Sequence, residues 1–433
     1  QLLTDIKTNQ TLTLKQADAV QVYDRSIKKT TPAFFEEHPL DIKAHIENTY
    51  SDFDYEGLIP KKLSQEGPAL AVGDVNANGY KDLFIGGGKD QSASIYINNG
   101  KGGFNELSSD IFLKDADLED TAAAFLDVDN DGDLDLMVAN SGNEIGKQED
   151  YKVRLYQNDG TGHYTISDAK LPFTGNNISS IAPYDFDGDG DTDVFIASRS
   201  VVGTYGINPE HLFLENKGDG TFEDATERYA FDLKDAGMIT HAIWKDVDGD
   251  EKKDLITVSD WGSVQIFKNT GRDLMKLQTT LDKHKGWWNT VTASDLNNDG
   301  HMDLILGNRG SNTLYRASED EPMKMWVNDF DNNGTIEQIF TRHINGGDYP
   351  LHMKKELTGQ IVSLKKQNIK ASEYAQKTIQ DLFPEDIIQN SLVKTVNSSE
   401  TVVAMNTGDG DFELETLPPS AQFSSVNSIV ALD

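Results

Sequence analysis

A nonapeptide, D-x-[DN]-x-[DN]-G-x-x-[DE], recurs along the chain, and no other feature limits the choice of fold as strongly. Its copies begin at Asp74 (DVNANGYKD), Asp127 (DVDNDGDLD), Asp185 (DFDGDGDTD), Asp246 (DVDGDEKKD), Asp295 (DLNNDGHMD) and Asp329 (DFDNNGTIE). The starts are separated by 53, 58, 61, 49 and 34 residues. Repeats of this length belong to solenoids, propellers and arrays, in which each unit buries its apolar face against the next.

The flanks repeat as well. A short apolar run precedes most copies, as in Ala69-Leu70-Ala71-Val72 and Val291-Thr292-Ala293, and a β-rich run follows, as in Leu136-Met137-Val138 and Val194-Phe195-Ile196. A third strand and a turn come next (Ile95 to Gly100, Leu155 to Gly160, Leu212 to Gly218), and Phe104, Tyr164 and Phe222 then open a fourth strand. These compositions are those of strands separated by Gly and Asn turns. Four strands per unit of about fifty residues make a propeller blade. The expected fold is therefore all-β, a β-propeller of four-stranded blades.

The loop chemistry points to Ca²⁺, a hard cation that takes six to eight oxygen ligands and tolerates irregular geometry. Oxygens at positions 1, 3 and 5 of a tight loop converge, glycine at position 6 permits the turn, position 7 offers its carbonyl, and the position-9 carboxylate closes the cage. The second copy (Asp127, Asp129, Asp131, Asp135) and the third (Asp185, Asp187, Asp189, Asp193) carry four carboxylates each and are expected to bind best. The first (Asp74, Asn76, Asn78, Asp82) and fifth (Asp295, Asn297, Asp299, Asp303) exchange charge for amide oxygen. The fourth (Asp246, Asp248, Asp250, Asp254) has Glu251 at the glycine position, which puts its turn in doubt, and the sixth (Asp329, Asp331, Asn333, Glu337) closes on a longer glutamate. An EF-hand needs a bidentate Glu at position 12, where these loops have Ile85, Val138, Ile196, Thr257, Leu306 and Phe340. Strands rather than helices flank them.

The loops account for much of the acidity. Against 39 Lys and Arg stand 72 Asp and Glu, a formal net charge of −33. Six calcium ions would reduce it to about −21. Such a surface repels nucleic acid and anionic lipid. A chain that is 37% hydrophobic with 5 Trp, 14 Tyr and 19 Phe can still build a core. Cysteine is absent, which removes disulfide frameworks, thiolate metal sites and cysteine nucleophiles. No apolar run is long enough for a transmembrane helix. The first residues lack the basic and apolar regions of a signal peptide and there is no initiator Met, so a mature or partial chain is expected.

Catalytic motifs are missing: there is no G-x-S-x-G, H-E-x-x-H or P-loop, and the nine His are scattered. No catalytic residue is assigned. Trp287-Trp288 suits packing between blades better than an exposed stacking platform. Between Asp329 and a further Asp433 the interval is twice the usual one, and residues 351–396 turn helical. Met353, Leu357, Ile361 and Leu364 mark one apolar face, and Ala375, Ile379, Leu382 and Phe383 mark a second, capped by Ser372, with Pro384 ending it or opening a third helix. Seven Lys against five acids make this segment net basic in an acidic chain, and it is expected as a rim insertion within one blade.

These loops, with strand and glycine following as in Asp82-Leu83-Phe84-Ile85-Gly86-Gly87, resemble the FG-GAP/VCBS repeat of integrin α-subunits and bacterial surface proteins. The stretches Gly67 to Asp74, Gly286-Trp287-Trp288-Asn289 and Gly307 to Asn312 are similar to VCBS-repeat proteins of Gram-negative bacteria that also carry an ASPIC/UnbV domain. The resemblance implies a seven-bladed propeller over 66–433, its last blade cut at Asp433, a lead-in over 21–65, and the end of an ASPIC/UnbV domain over 1–20. It further implies a non-catalytic calcium-binding module at the cell surface or outer membrane, often lipid-anchored, that binds a protein or glycan. The alternatives are a calcium-dependent polysaccharide lyase or a lectin.

Overall fold

The computed structural model describes residues 12–15, 38–107, 110–172 and 174–432. The chain divides into two compact units, Gln1–Asp41 and Ile42–Asp433. The expected ASPIC/UnbV segment over 1–20 lies almost wholly outside the described residues, as does Asp433.

The second unit is built from antiparallel sheets of four strands. The first holds β1 (Leu70–Gly73), β2 (Asp82–Ile85), β3 (Ser94–Asn98) and β4 (Phe104–Leu107). The second holds β5 (Asp120–Leu126), β6 (Asp135–Asn140), β7 (Val153–Asn158) and β8 (Tyr164–Ile166). The third holds β9 (Asn177–Tyr184), β10 (Asp193–Ser200), β11 (Leu212–Asn216) and β12 (Phe222–Asp224). The fourth holds β13 (Met238–Lys245), β14 (Asp254–Gly262), β15 (Gln265–Asn269) and β16 (Leu274–Lys276), with the short β17 (Gly286–Trp287) paired to the end of β14. Successive first strands lie side by side, so the sheets follow one another around a hub as propeller blades.

The second strands show why the sequence reads as it does. β6 is buried along its whole length. Leu136 and Val138 pack toward the first sheet with Phe84 and Ile95, whereas Met137 and Ala139 pack toward the third with Val194 and Ile196. β10 repeats this, with Phe195 and Ala197 facing the fourth sheet. A strand sandwiched between two sheets has no polar side, hence the unbroken apolar runs. Trp288 is fully buried between the fourth and fifth sheets, the packing role expected of it.

The fifth sheet departs from the expected order. It begins with β18 (Thr290–Ser294) and β19 (Asp303–Gly307), and the chain then leaves it. It builds β20 (Met323–Asn328), β21 (Glu337–Ile344), β22 (Gly347–Pro350) and β23 (Leu392–Val396), a separate sheet in the order β22-β21-β20-β23. Only then do β24 (Val402–Asn406) and β25 (Phe412–Thr416) complete the fifth sheet, Leu304 pairing with Ala404. The sixth acidic loop thus belongs to a sheet inserted between the second and third strands of the fifth, and does not head a blade of its own. Five sheets of the radial kind are present among the described residues. On the outer face of the first, Leu70 and Val72 of β1 are exposed.

The helical segment is also corrected. In place of two longer helices there are five short turns: Lys354–Gln360, Leu364–Gln367, Ala371–Tyr374, Ile379–Leu382 and Glu385–Gln389; residues 392–396 are strand. Ile361, Asn368 and Thr378 leave helical backbone, and Thr378 rather than Ser372 makes a capping box, with Asp381. Leu357, Ile361, Leu364, Tyr374, Ile379, Leu382 and Phe383 are buried against Trp326, Phe330 and Ile339 of the inserted sheet, while Met353 and Ala375 stay exposed. Four of the turns are placed by the apolar residues they bury and the last by the half-buried Ile387 and Ile388, and helices this short have no stability of their own.

The inserted sheet is anchored at the hub. Phe340 of β21 stacks on Trp261, whose Nε1–H donates to the Tyr205 hydroxyl at 3.1 Å. Residues 42–65, expected as a lead-in, pack into the same unit: Leu58 joins the core under the helical turns, and Ile59 and Leu63 join the hub core.

Candidate metal centres

Every acidic loop connects the first strand of a sheet to the second, the sixth connecting β20 to β21, and all six share one backbone construction. The position-1 carboxylate accepts the N–H of position 6: Gly79 to Asp74 at 2.7 Å, Gly132 to Asp127 at 3.0 Å, Gly190 to Asp185 at 3.2 Å, Gly300 to Asp295 at 2.9 Å and Gly334 to Asp329 at 2.8 Å. In the fourth loop Glu251 takes the glycine's place with φ +70° and still donates to Asp246 at 2.8 Å, so the turn forms despite the missing glycine. The side-chain oxygen at position 5 accepts the N–H of position 7 in all six, as Asp189 does from Asp191 at 2.9 Å.

Position 4 was not singled out from the sequence, yet it too has positive φ in every loop: Ala77, Asn130, Gly188, Gly249, Asn298 and Asn332. The signal was there, because Asn and Gly are the residues that enter the left-handed region most readily.

Position 9 does more than close the cage. Asp82, Asp135, Asp193, Asp254, Asp303 and Glu337 are all buried. One oxygen of Asp135 accepts the Val128 N–H at 3.0 Å and the other the Asn158 N–H at 2.8 Å. Asp82, Asp193, Asp254 and Asp303 do the same with Asn98, Asn216, Asn269 and Asn406. Each of these five aspartates thereby ties its loop to the end of the third strand. Burial pushes four of the six position-9 carboxyls up, Asp135 and Asp254 to about 6 and Asp193 and Glu337 to about 7.

Carboxylate oxygens converge to within 4.8 Å of one another in four loops: Asp127, Asp129 and Asp135; Asp185, Asp187 and Asp193; Asp246, Asp248 and Asp250; Asp329, Asp331 and Glu337. Asp131, Asp189 and Asp254 stand outside these groups. So do the fifth loop's Asp295, Asp299 and Asp303, and there the Asn297 amide donates to Asp299 at 2.8 Å. The first loop has only two carboxylates, Asp74 and Asp82; its Asn76 oxygen accepts the Asn78 N–H at 3.2 Å.

The second and sixth loops fit a cation. Asp127, Asp129 and Asp133 in the second, and Asp331 in the sixth, each hold an oxygen cut off from solvent without any hydrogen-bond donor. Buried anionic oxygens without donors are costly, and a metal ion is the partner this donor set suits. Asp133, at position 7, was missed from the sequence because that position was read only for its carbonyl. Burial and its neighbours Asp131, Asp129 and Asp127 push its carboxyl up to about 6.

The fourth loop is occupied differently. The Lys268 ammonium, from β15, pairs with Asp248 and lies 2.9 Å from Asp250. The corresponding residue of the second sheet is Gln157, whose amide donates to Asp129 at 3.2 Å. A lysine at this point supplies from within the chain the positive charge that a metal ion would supply in the other loops.

A family model described as an FG-GAP-like repeat matches residues 74–138, 127–196 and 246–306. Each match begins at the first ligand position of one loop and ends in the second strand of the next sheet. No curated protein matches the sequence. Among solved structures, an Agrocybe aegerita lectin described for recognition of non-reducing terminal N-acetylglucosamine is similar at 17% identity and TM-score 0.37, covering 83% of each chain. Saccharomyces cerevisiae Sqt1 is similar at 12% identity and TM-score 0.34, covering 67% of this chain and 63% of its own. A putative exo-β-1,3-galactanase from Bifidobacterium bifidum is similar at 11% identity and TM-score 0.32, covering 66% of this chain and 91% of its own. Likenesses this distant carry no argument about ligand or activity. The chain is an all-β propeller of four-stranded sheets that contains FG-GAP-like repeats.

Proposed function

We propose that this protein is a non-catalytic, calcium-stabilised propeller that serves as an extracellular binding or scaffold module for a protein or glycan partner. The observation that carries the reading is the set of converging carboxylates, which in the second and sixth loops hold oxygens shielded from solvent and without a donor. Asp127, Asp129 and Asp135, with Asp131 in reserve, would hold the ion in the second loop; Asp185, Asp187 and Asp193 would do so in the third. Calcium would replace mutual repulsion at the loop tips by attraction, stiffening the connection between first and second strands.

The finer resemblance, to exported VCBS-repeat proteins of Gram-negative bacteria, belongs to the same proposal. Extracellular calcium modules bind at about 10⁻⁴–10⁻³ M, which suits a surface location where calcium is millimolar. Calorimetric titration of calcium into the metal-free chain tests the reading. Saturable binding of at least two ions is expected, with one site weakened strongly by Asp129→Ala; a folded chain that takes up no calcium would refute it.

A further inference from the structure

The starts of the first strands enclose a cavity at the hub, at the end of the sheets opposite the acidic loops. Hydroxyls fasten its wall: Thr121 donates to the Ile178 carbonyl at 2.8 Å, Ser179 to Ile239 at 2.6 Å and Thr240 to Trp288 at 2.7 Å. Its volume is about 460 Å³, in the range of small-ligand sites.

The charge of this cavity is opposite to that of the molecule. Lys61, Lys62, Arg199 and Arg309 line it against a single carboxylate, Glu66, in a chain of net charge −33. Glu66 is shared, pairing with Arg199 and lying 3.2 Å from Lys61. Arg199 is 8% exposed, and its Nε–H has no acceptor. Arg309 is held by aromatic rings, its guanidinium 4.9 Å from the Trp287 ring centre and 5.5 Å from that of Tyr315. Among the described residues no carboxylate lies within ion-pair distance of it. Asp260, which acts electrostatically on Lys61 and Arg199, already accepts the Tyr205 hydroxyl at 2.6 Å. Burial, together with the two arginines, pushes the Lys61 ammonium down to about 7. Like charges are not gathered in a buried, polar cavity for stability; such clusters mark sites where a counter-charge arrives.

We propose that the hub cavity binds a small ligand through a carboxylate or sulfate group, received by Arg309 and Arg199 with Lys61 beside them. A guanidinium presents paired N–H donors that match the two oxygens of such a group, and stacking on Trp287 and Tyr315 fixes the plane of Arg309. The acidic exterior repels anions, so the cavity favours ligands whose remaining bulk is neutral. This site is independent of the calcium loops.

Titration calorimetry of the calcium-loaded chain with D-glucuronate, inorganic sulfate and, as a neutral control, D-glucose tests the proposal. Saturable binding of glucuronate or sulfate is expected, with none of glucose, and which anion binds more tightly identifies the group received. Arg309→Gln and Lys61→Met should each weaken binding about tenfold or more while leaving calcium stoichiometry unchanged. Absence of saturable binding by either anion, equal binding of glucose, or full affinity in both folded variants would overturn it. Should Arg309→Gln fail to fold, Lys61→Met decides alone.

Discussion

Single residues distinguish loops that the repeat makes look alike. The fourth loop has four carboxylates by sequence, as many as the second and third, yet Lys268 sits on two of them. An ammonium and a calcium ion compete for the same oxygens, so Lys268→Met should add a calcium site, or tighten one, at the fourth loop. Calorimetric titration checks this, and an unchanged isotherm would show that the lysine does not hold the loop. Lys268 was not legible in the sequence, because it lies 18–20 residues beyond its partners and only the pairing of β14 with β15 brings it back. Position 4 was legible in principle, its Asn and Gly being left-handed residues that the motif did not score.

A second prediction at this scale concerns His211. Its Nδ1 accepts the Ser198 N–H at 3.1 Å, its Nε2 lies 3.1 Å from the Gly237 carbonyl, and burial depresses its pKa to about 4. The folded value is below the unfolded one, near 6.5, so the native state binds fewer protons. Its contribution is present above about pH 6.5 and is lost as pH falls toward 4. His211→Gln should flatten the fall of melting temperature between those pH values relative to the parent; an equally steep fall would assign the loss to other groups.

At the scale of elements, an asparagine at the end of the third strand in the second to fifth sheets links each sheet to the one before it. Asn158 Nδ2 donates to Val75 at 2.8 Å, Asn216 to Val128 at 3.1 Å, Asn269 to Phe186 at 3.2 Å and Asn406 to Val247 at 2.8 Å. Each acceptor is the position-2 carbonyl of the preceding sheet's acidic loop, so the loops also transmit order from sheet to sheet. Asn98 of the first sheet reaches only Lys81 of its own loop, at 3.1 Å. Asn216→Ala removes the amide's bonds to the Val128 and Thr192 carbonyls, the first of which keeps the Gly220 N–H, and should cost about 1 kcal/mol, more than Asn98→Ala. Denaturant unfolding of the two variants checks the order; equal losses would deny the link any role.

Asn406 also explains why the inserted sheet was hidden. The sequence motif repeats at Asp329 as though a sixth blade followed, and its flanks are strand-like there too. What it does not carry is pairing: β19 closes on β24 across 94 intervening residues, and that pairing, with the Asn406 N–H on Asp303 and its amide on the fourth loop, makes 402–416 the outer half of the fifth sheet. Second and fourth strands were readable because burial on two faces and a turn before Phe104, Tyr164 or Phe222 leave local marks. The helical segment was readable as helical through its apolar spacing, but where each turn breaks depends on the sheet beneath it.

For the molecule as a whole, charge is the dominating quantity. Twenty-three carboxylates sit in six loops, and residues 351–396 carry a net +2 while the rest of the chain carries −35. The hub cavity adds a second basic region that no composition count reveals, since its lysines and arginines are scattered from Lys61 to Arg309 in sequence. Without cations, the loops set like charges against one another where each first strand turns into its second. At millimolar calcium each site the proposal fills would add about 0.4–1.4 kcal/mol, so several sites together would reach the order of a domain's whole stability. The most direct test is thermal unfolding of the intact chain at neutral pH in millimolar calcium and in excess EGTA. Calcium should raise the melting temperature by several degrees or more, and magnesium at the same concentration should do so less. Superimposable unfolding curves with and without calcium would contradict the account.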